Sequence, residues 1–372
     1  MVSEPGLNPG ASPEAPHLLP GPNGPDVPAS PPAGGYGPVL PQQYPTEGQW
    51  LVPAPPPGYW VPSTPAALPI THREYHEFFR TPRFRWWKPL ASIAMFIAGW
   101  FLVSLVVSIP LVMFDAASGR FDMESAASGE LVMTPMLFLA NNLSLALAIP
   151  AAGLTAWAVF GQRPRWMSSI AGGFRWGLFW RFVAVAVPIL LLSFGTEVLM
   201  GGAPNLVWNA DSWFLIVVIA LTTPFQAAGE EYGVRGILAR SVGSWFSSSR
   251  VGLVVATVVT STVFMLLHGA GDPWLNGYYF GVGVICSLLV WKTGGLEAAI
   301  ALHVVNNLIG EITLPFGGLD SLFDRQAGVA GPEILIQMFF TVALAVALLV
   351  VAKRLRIPQS AAPAAVRAEP WR

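Results

Sequence analysis

An all-α, polytopic membrane protein is predicted on three grounds. Of the 372 residues 53% are hydrophobic and only 11% charged, apolar stretches recur at lengths suited to a bilayer, and cations cluster between alternate stretches. Soluble domains average roughly 25% charged residues, so this composition argues against an ordinary water-soluble enzyme. A net charge of −1 leaves nothing to neutralise a run of phosphates, which excludes a nucleic-acid partner. Cys286 is the single cysteine, so no intramolecular disulfide can form. Arginine far outnumbers lysine, and with plentiful Ala and Gly this points to a GC-rich bacterial genome.

Residues 1–70 hold 20 of the 35 prolines, mixed with Gly, Ala and Ser. Such a stretch lacks the backbone donors and apolar surface needed to offset ordering, so a disordered cytoplasmic arm is expected. It has no basic start followed by an apolar core and is not read as a signal peptide. Its Pro55-Pro56-Pro57-Gly58-Tyr59 string contains P-P-x-Y, which can dock as a polyproline II ligand in a partner's aromatic groove; the plainer reading is a tether.

Residues 71–88 form a basic and aromatic juxtamembrane segment, with Arg73, Arg80, Arg83, Arg85 and Lys88 among Phe78, Phe79, Trp86 and Trp87. His72 and His76 are four apart and invite a metal reading. Glu74 is not placed as in H-E-x-x-H and no third ligand is evident, so a juxtamembrane helix is expected instead. A transmembrane domain follows over 89–353, with spans near 89–113, 132–160, 178–201, 213–238, 251–268, 275–291, 296–314 and 333–352. Each is long enough, or nearly so, to cross about 30 Å of hydrocarbon. The stretch 163–181, rich in Arg and Trp, reads as interfacial. A tail over 354–372 completes the chain.

Eight crossings put the segment before the first span, the 161–181 stretch, the Arg240 to Arg250 turn, Lys292 and the Lys353-Arg354-Arg356 cluster on one side. By the positive-inside rule that side is the cytoplasm, with both termini on it. The opposite loops hold only Arg120 and Arg325 as cations beside Asp115, Asp122, Glu124, Glu130, Asp211, Asp272, Asp320 and Asp324.

Ionisable groups at membrane depth cost at least a few kcal/mol each, so those that remain ask for a reason. Two histidines, His268 and His303, lie inside apolar spans, and the fourth span carries Gly229-Glu230-Glu231-Tyr232-Gly233-Val234-Arg235-Gly236 after a Pro224 kink. Glu231 and Arg235 are i,i+4 neighbours and can pair; Glu230 points about 100° away, with no such partner on its own helix, and is left free for chemistry. All three forming a structural ion-pair cluster is the alternative. Phe264-x-x-x-His268 and His303-x-x-x-Asn307 each place two side chains on one helical face. Counting from the intervening turns puts Glu230, His268 and His303 near one level, about half-way into the bilayer.

A carboxylate beside imidazole in a semi-dry site can take a proton from water, and a second imidazole with an amide can donate to a developing oxyanion. That geometry suits amide hydrolysis, while the same Glu and His set also offers zinc ligands. No Ser or Cys stands with these histidines as a nucleophile, which argues against a covalent intermediate. Glu197, Glu297 and Glu311 read as interfacial or cavity-lining, and Asn141 and Asn142 as interhelical hydrogen-bonding groups.

Glu230-Glu231-x-x-x-Arg235, Phe264-x-x-x-His268 and His303-x-x-x-Asn307, in that order over successive spans, resemble the three motifs of the CPBP (CAAX protease and bacteriocin-processing) intramembrane protease family, which includes the type II CAAX prenyl endopeptidases. The resemblance covers roughly residues 210–312. It implies a helical core of about eight spans, water activation by Glu230 and His268, an oxyanion site of His303 and Asn307, and support from Glu231, Arg235 and Phe264. It implies either that no cofactor is required, the preferred reading, or zinc on Glu230, His268 and His303. Family members often carry an aromatic residue before the motif arginine, where this chain has Val234, a difference that touches packing rather than chemistry. The expected activity is endoproteolysis of a membrane-associated protein or peptide. Two alternatives use the same polar pocket: a non-catalytic binding, immunity or scaffold protein, and a proton-coupled transporter, the latter disfavoured because the span list shows no internal repeat.

Overall fold

A computed structural model describes residues 66–121, 124, 132–319 and 325–364. The proline-rich arm with its Pro55–Tyr59 string falls almost wholly outside these residues. So do Asp122, Glu130, Asp320, Asp324 and the end of the tail.

Among the described residues, eight helical stretches are long and apolar enough to cross a membrane, and the chain is a multi-pass membrane protein. They are α1 (Lys88–Ala117), the pair α2 (Pro135–Ala146) and α3 (Ala148–Phe160), α4 (Trp176–Gly201), α5 (Ser212–Glu231) continuing through a π-helical segment (Tyr232–Leu238) into α6 (Ala239–Gly243), α7 (Ser249–Leu267), α8 (Pro273–Thr293), α9 (Glu297–Gly310) followed by the single turn α10 (Leu314–Gly317), and α11 (Ile334–Arg354). Each overlaps its predicted stretch, with ends shifted by a few residues. Long apolar runs give these helices their length, and short polar groups give them their ends. Thr134 accepts from the Leu137 N–H at the start of α2, Ser248 from the Val251 N–H at α7, and Asp272 from the Trp274 and Leu275 N–H groups at α8.

Hydrogen bonds between spans satisfy groups that lipid cannot. The Trp100 indole of α1 donates to the Ser144 carbonyl of α2 at 2.7 Å, and Ser92 of α1 meets Ser241 of α6 at 2.8 Å. Asn142 of α2 donates to Thr222 and Thr223 of α5 at 2.9 and 3.2 Å, the interhelical role expected of it, whereas among the described residues Asn141 donates to the neighbouring Asn142. Helices α2 and α5 approach closely because of Gly229: a Cβ there would lie 1.9 Å from the Leu145 carbonyl oxygen. The residue before Glu230 can therefore only be glycine without moving the backbone.

The juxtamembrane segment departs from its expectation. It is not a helix but a two-residue strand β1 (Arg73–Glu74) and a 3₁₀ turn (Tyr75–Glu77), and β1 pairs antiparallel with β2 (Ser360–Ala361) just beyond the last span. The reason is Arg240, which is fully buried. Its guanidinium lies 3.8 Å from the Tyr75 ring centroid, near the Phe78 and Phe79 rings, and donates to the Trp166 carbonyl at 2.9 Å. The aromatic side chains turn inward to cage this cation and leave Trp86 and Trp87 to the exterior. His72 and His76 do not share a face: His72 meets Ser360, and His76 meets the Ser249 carbonyl at 3.0 Å. Burial holds the His76 imidazole below its usual pKa, so it stays neutral there.

The stretch 163–181 is interfacial only in part. A 3₁₀ turn (Pro164–Met167) and a bridge between Ser169 and Gly295 tie it to the turn before α9, and α4 begins at Trp176. Glu297, expected at an interface or a cavity, is instead fully buried and ion-paired. Arg175 Nε donates to its Oε1 at 2.9 Å and Nη2 to its Oε2 at 2.6 Å, while the Arg175 backbone N–H adds a third bond. Removing one member of such a pair strands a buried charge. Arg175→Ala should therefore cost about 3–5 kcal/mol of stability, read as a lower unfolding midpoint of the detergent-solubilised protein, and Glu297→Gln should cost less. Unchanged midpoints would show that the pair does not hold α4 to α9.

Candidate active site

The fourth span is regular until Glu231 and then widens. The Ala239 N–H bonds to the Val234 carbonyl, five residues back, within the π segment that carries Arg235. Glu231 and Arg235 are both fully buried. Arg235 Nη1 donates to Glu231 Oε1 at 2.8 Å, as the i,i+4 spacing predicted, and Nη2 donates to the Gly283 carbonyl of α8 at 3.0 Å. The guanidinium also lies 4.8 Å from the Phe264 ring centroid of α7. Glu231 Oε1 accepts a further bond from His303 Nδ1 of α9 at 3.0 Å. One buried ion pair thus ties together four spans.

Glu230 is more open than Glu231 and does have a partner on its own helix. Gln226, one turn earlier, donates its Nε2–H to Glu230 Oε1. The expectation that Glu230 lacks a partner on its own helix is corrected by this uncharged amide at i−4. Glu230 Oε2 lies 3.7 Å from His303 Nε2. Gln226 Oε1 in turn accepts from Asn307 Nδ2 at 3.1 Å, and Thr223 donates to Glu311 Oε2 at 2.6 Å. Helices α5 and α9 run past each other with facing polar rungs: Glu231 and Glu230 on His303, Gln226 on Asn307, Thr223 on Glu311. His303, Asn307 and Glu311 are spaced i, i+4, i+8 and so occupy one face. Glu311, expected at an interface or a cavity, is instead buried against Thr223, while Glu197 accepts from Ser193 on its own helix.

His268 differs from expectation. It is the cap of α7 rather than a residue within it, because Gly269, at φ +62°, ends the helix in the left-handed conformation. Glu230 stands 13 residues before Gly243, about 20 Å along the helix, whereas His268 stands 19 beyond Ser249, about 28 Å. By the same count Phe264 stands at about 22 Å. Its ring centroid lies 4.5 Å from that of His268 and 5.7 Å from that of His303, so it bridges the imidazoles. No hydrogen bond joins Glu230 to His268 among the described residues. His268 Nδ1 donates to the Phe264 carbonyl at 2.7 Å, its ring stacks on Tyr279 at 4.0 Å, and Arg325 donates to its carbonyl.

Partner chemistry fixes both tautomers. A carbonyl and an ion-paired carboxylate can only accept, so the proton of each neutral imidazole sits on Nδ1 and each Nε2 keeps a lone pair. Such imidazoles resemble metal ligands held by outer partners. In the zinc set Glu230 Oε2 and His303 Nε2 lie 3.7 Å apart, but with His268 the three do not all come within 4.8 Å of one another. Among the described residues, the group whose ligand atoms lie within 4.8 Å of one another is Glu74, His76 and Glu77 at the juxtamembrane turn. There Glu74 accepts from Ser249 and Glu77 from Arg73, so protein donors already serve both carboxylates.

An apolar cavity of about 550 Å³ flanks the polar rungs between α3, α4, α5 and α9, lined by residues including Trp176, Phe179, Trp180, Tyr232, Val304 and Leu308. Arg235→Met should leave Glu231 buried without its cation and cost about 3–5 kcal/mol. The double variant Glu231→Gln, Arg235→Met should regain part of that loss, measured as unfolding midpoints in detergent. Additive losses would show that the two charges do not act as a pair.

The chain is 27% identical over 149 residues to "Uncharacterized protein YyaK" of Bacillus subtilis (strain 168), a stretch that is 37% of this chain and 47% of that protein, so about half of the relative's length is spanned. No solved structure matches. The part of the chain that holds all three motifs, residues 210–309, matches the family model described as Type II CAAX prenyl endopeptidase Rce1-like.

Proposed function

We propose that the protein is an intramembrane endopeptidase that hydrolyses a peptide bond in a membrane-associated protein or peptide. The family match over residues 210–309 supports a protease of the CAAX type. The observation that carries the reading is Glu230 Oε2 standing 3.7 Å from His303 Nε2 at the rim of a buried ion pair. That separation exceeds a direct hydrogen bond and can be spanned by one water oxygen. With His303 neutral and its proton on Nδ1 both flanking atoms accept, so such a water donates a hydrogen to each and keeps a lone pair for attack.

In the reaction Glu230 takes a proton from the water as its oxygen bonds to the substrate carbonyl carbon, and the carbonyl electron pair moves onto oxygen. One Asn307 N–H is spent on Gln226; the other is available to the oxyanion. Collapse re-forms the carbonyl, breaks the C–N bond and passes the Glu230 proton to the departing amine. In this reading His303 takes the place beside Glu230 that the resemblance gave to His268. His268 stays against Phe264 as a second acceptor. Neither step as written is routed through a metal. The apolar cavity beside the rungs suits an apolar stretch of substrate. The cation distribution supports cytoplasmic termini on a bacterial cell membrane.

The test compares membrane peptides from cells carrying wild-type protein with those carrying Glu230→Gln. Product peptides should disappear with Glu230→Gln while the variant remains inserted and folded. His303→Ala should slow cleavage more than His268→Ala, and prolonged chelation should leave the rate unchanged. Full cleavage by Glu230→Gln would hand the site to the non-catalytic binding reading. Loss of activity on chelation, restored by zinc, would overturn the metal-independent mechanism.

A further inference from the structure

Gln226 lies outside the three motifs, yet its carboxamide touches two of them. We propose that Gln226 is a positioning residue that orients Glu230 and Asn307 together, a role resting on the proteolytic reading above. The argument is geometric. A carboxylate has two equivalent oxygens and rotates unless something distinguishes them. Gln226 Nε2 claims Glu230 Oε1, which leaves Oε2 directed at His303 Nε2 as the oxygen that receives the proton. The other end of the same amide, Oε1, accepts from Asn307 Nδ2 at 3.1 Å. An amide oxygen can only accept and an amide nitrogen can only donate, so the carboxylate fixes the orientation of Gln226 and Gln226 fixes that of Asn307. Asn306 adds a weaker constraint by donating to Asn307 Oδ1 at 3.4 Å.

Gln226 therefore couples the base on α5 to the oxyanion donor on α9, across the line where the scissile bond must lie. It is 7% exposed and sits between rungs, with Thr223 and Glu311 beyond it and His303 before it, so it is built into the contact between the two helices. A residue of this kind acts on the rate constant of chemistry rather than on substrate binding, because a small misorientation of reacting groups costs turnover by about 10²-fold.

The experiment uses the full chain in detergent and an internally quenched peptide ending in a farnesylated C-a-a-X sequence. Gln226→Met keeps the length and removes both hydrogen bonds; Gln226→Glu keeps the length and the acceptor for Asn307 but sets a second carboxylate against Glu230. Gln226→Met should lower kcat about 10–100-fold with KM within about twofold. In an Asn307→Ala background the same change should cost clearly less, since part of its action is already lost. Gln226→Glu should lose activity while folding as well as Gln226→Met, its pH–rate profile displaced from that of wild type. Wild-type kcat in Gln226→Met, with Glu230→Gln inactive, would overturn this proposal alone. A kcat loss that follows the unfolding midpoint in every variant would reduce Gln226 to packing and overturn it equally. A wild-type protein that leaves the peptide uncut would sink the CAAX-type reading, and this role with it.

Discussion

Arg235 is the constraint on which the rest of the arrangement depends. A guanidinium with no exposure inside a bilayer-spanning protein is tolerable only if its charge is paired and most of its donors are met. Here the charge is met by Glu231, a second donor by the Gly283 carbonyl, and the cation's face by the Phe264 ring. These partners come from α5, α8 and α7, and Glu231 passes the constraint to His303 of α9. Rotating any of the four helices would strand a charge or an acceptor. The ion pair is therefore a registry device. It sets which residues of α5 and α9 face each other, and so sets Glu230 against His303.

The π segment contributes to that register. A regular α-helix through Tyr232–Leu238 would carry its downstream residues around by a different angle than one with five-residue closure. The actual backbone sends Arg235 toward α7 and α8 and Arg240 toward the aromatic cage of Tyr75, Phe78 and Phe79. Two buried arginines one short segment apart thus face different neighbourhoods. One closes the candidate active site and the other fastens the juxtamembrane turn to the end of the same span. The local irregularity lies where both demands meet, as is common for π-bulges at functional sites.

How much of this was legible in the sequence differs by element, for physical reasons. The spans were readable because lipid imposes length and apolarity on each residue independently of its neighbours, so α1, α4 and α11 needed only counting. The Glu231–Arg235 pair was readable because i,i+4 geometry is local. Glu297 was not, because its partner Arg175 is 122 positions away and only the fold brings it there. His268 reads at Glu230's level when the fourth span is counted as helix for about 18 residues beyond Glu230; α6 ends sooner, at Gly243, so the two counts no longer match. The juxtamembrane helix failed because its aromatic residues, read as interfacial, had a buried cation to cover. Gln226 was passed over because an uncharged amide carries no electrostatic signal, although its spacing from Glu230 is the same as that of Glu231 from Arg235.

The two faces of the α5–α9 contact complete the physical picture. Toward one side they present acids, imidazole and amides in facing rungs; toward the other, Tyr232, Val304 and Leu308 border an apolar cavity. Residues 303 and 304, or 231 and 232, are neighbours in sequence yet differ by about 100° around the helix, so the polar and apolar faces meet along a seam only one side chain wide. A substrate with an apolar segment in the cavity would bring the backbone beside that segment to the seam without entering water first. The backbone amide, which is costly to expose in hydrocarbon, would find donors there before it found lipid. Polar rungs that lipid alone would disfavour are stabilised by Arg235, and in the proposed reading they are where a peptide bond and a water molecule meet.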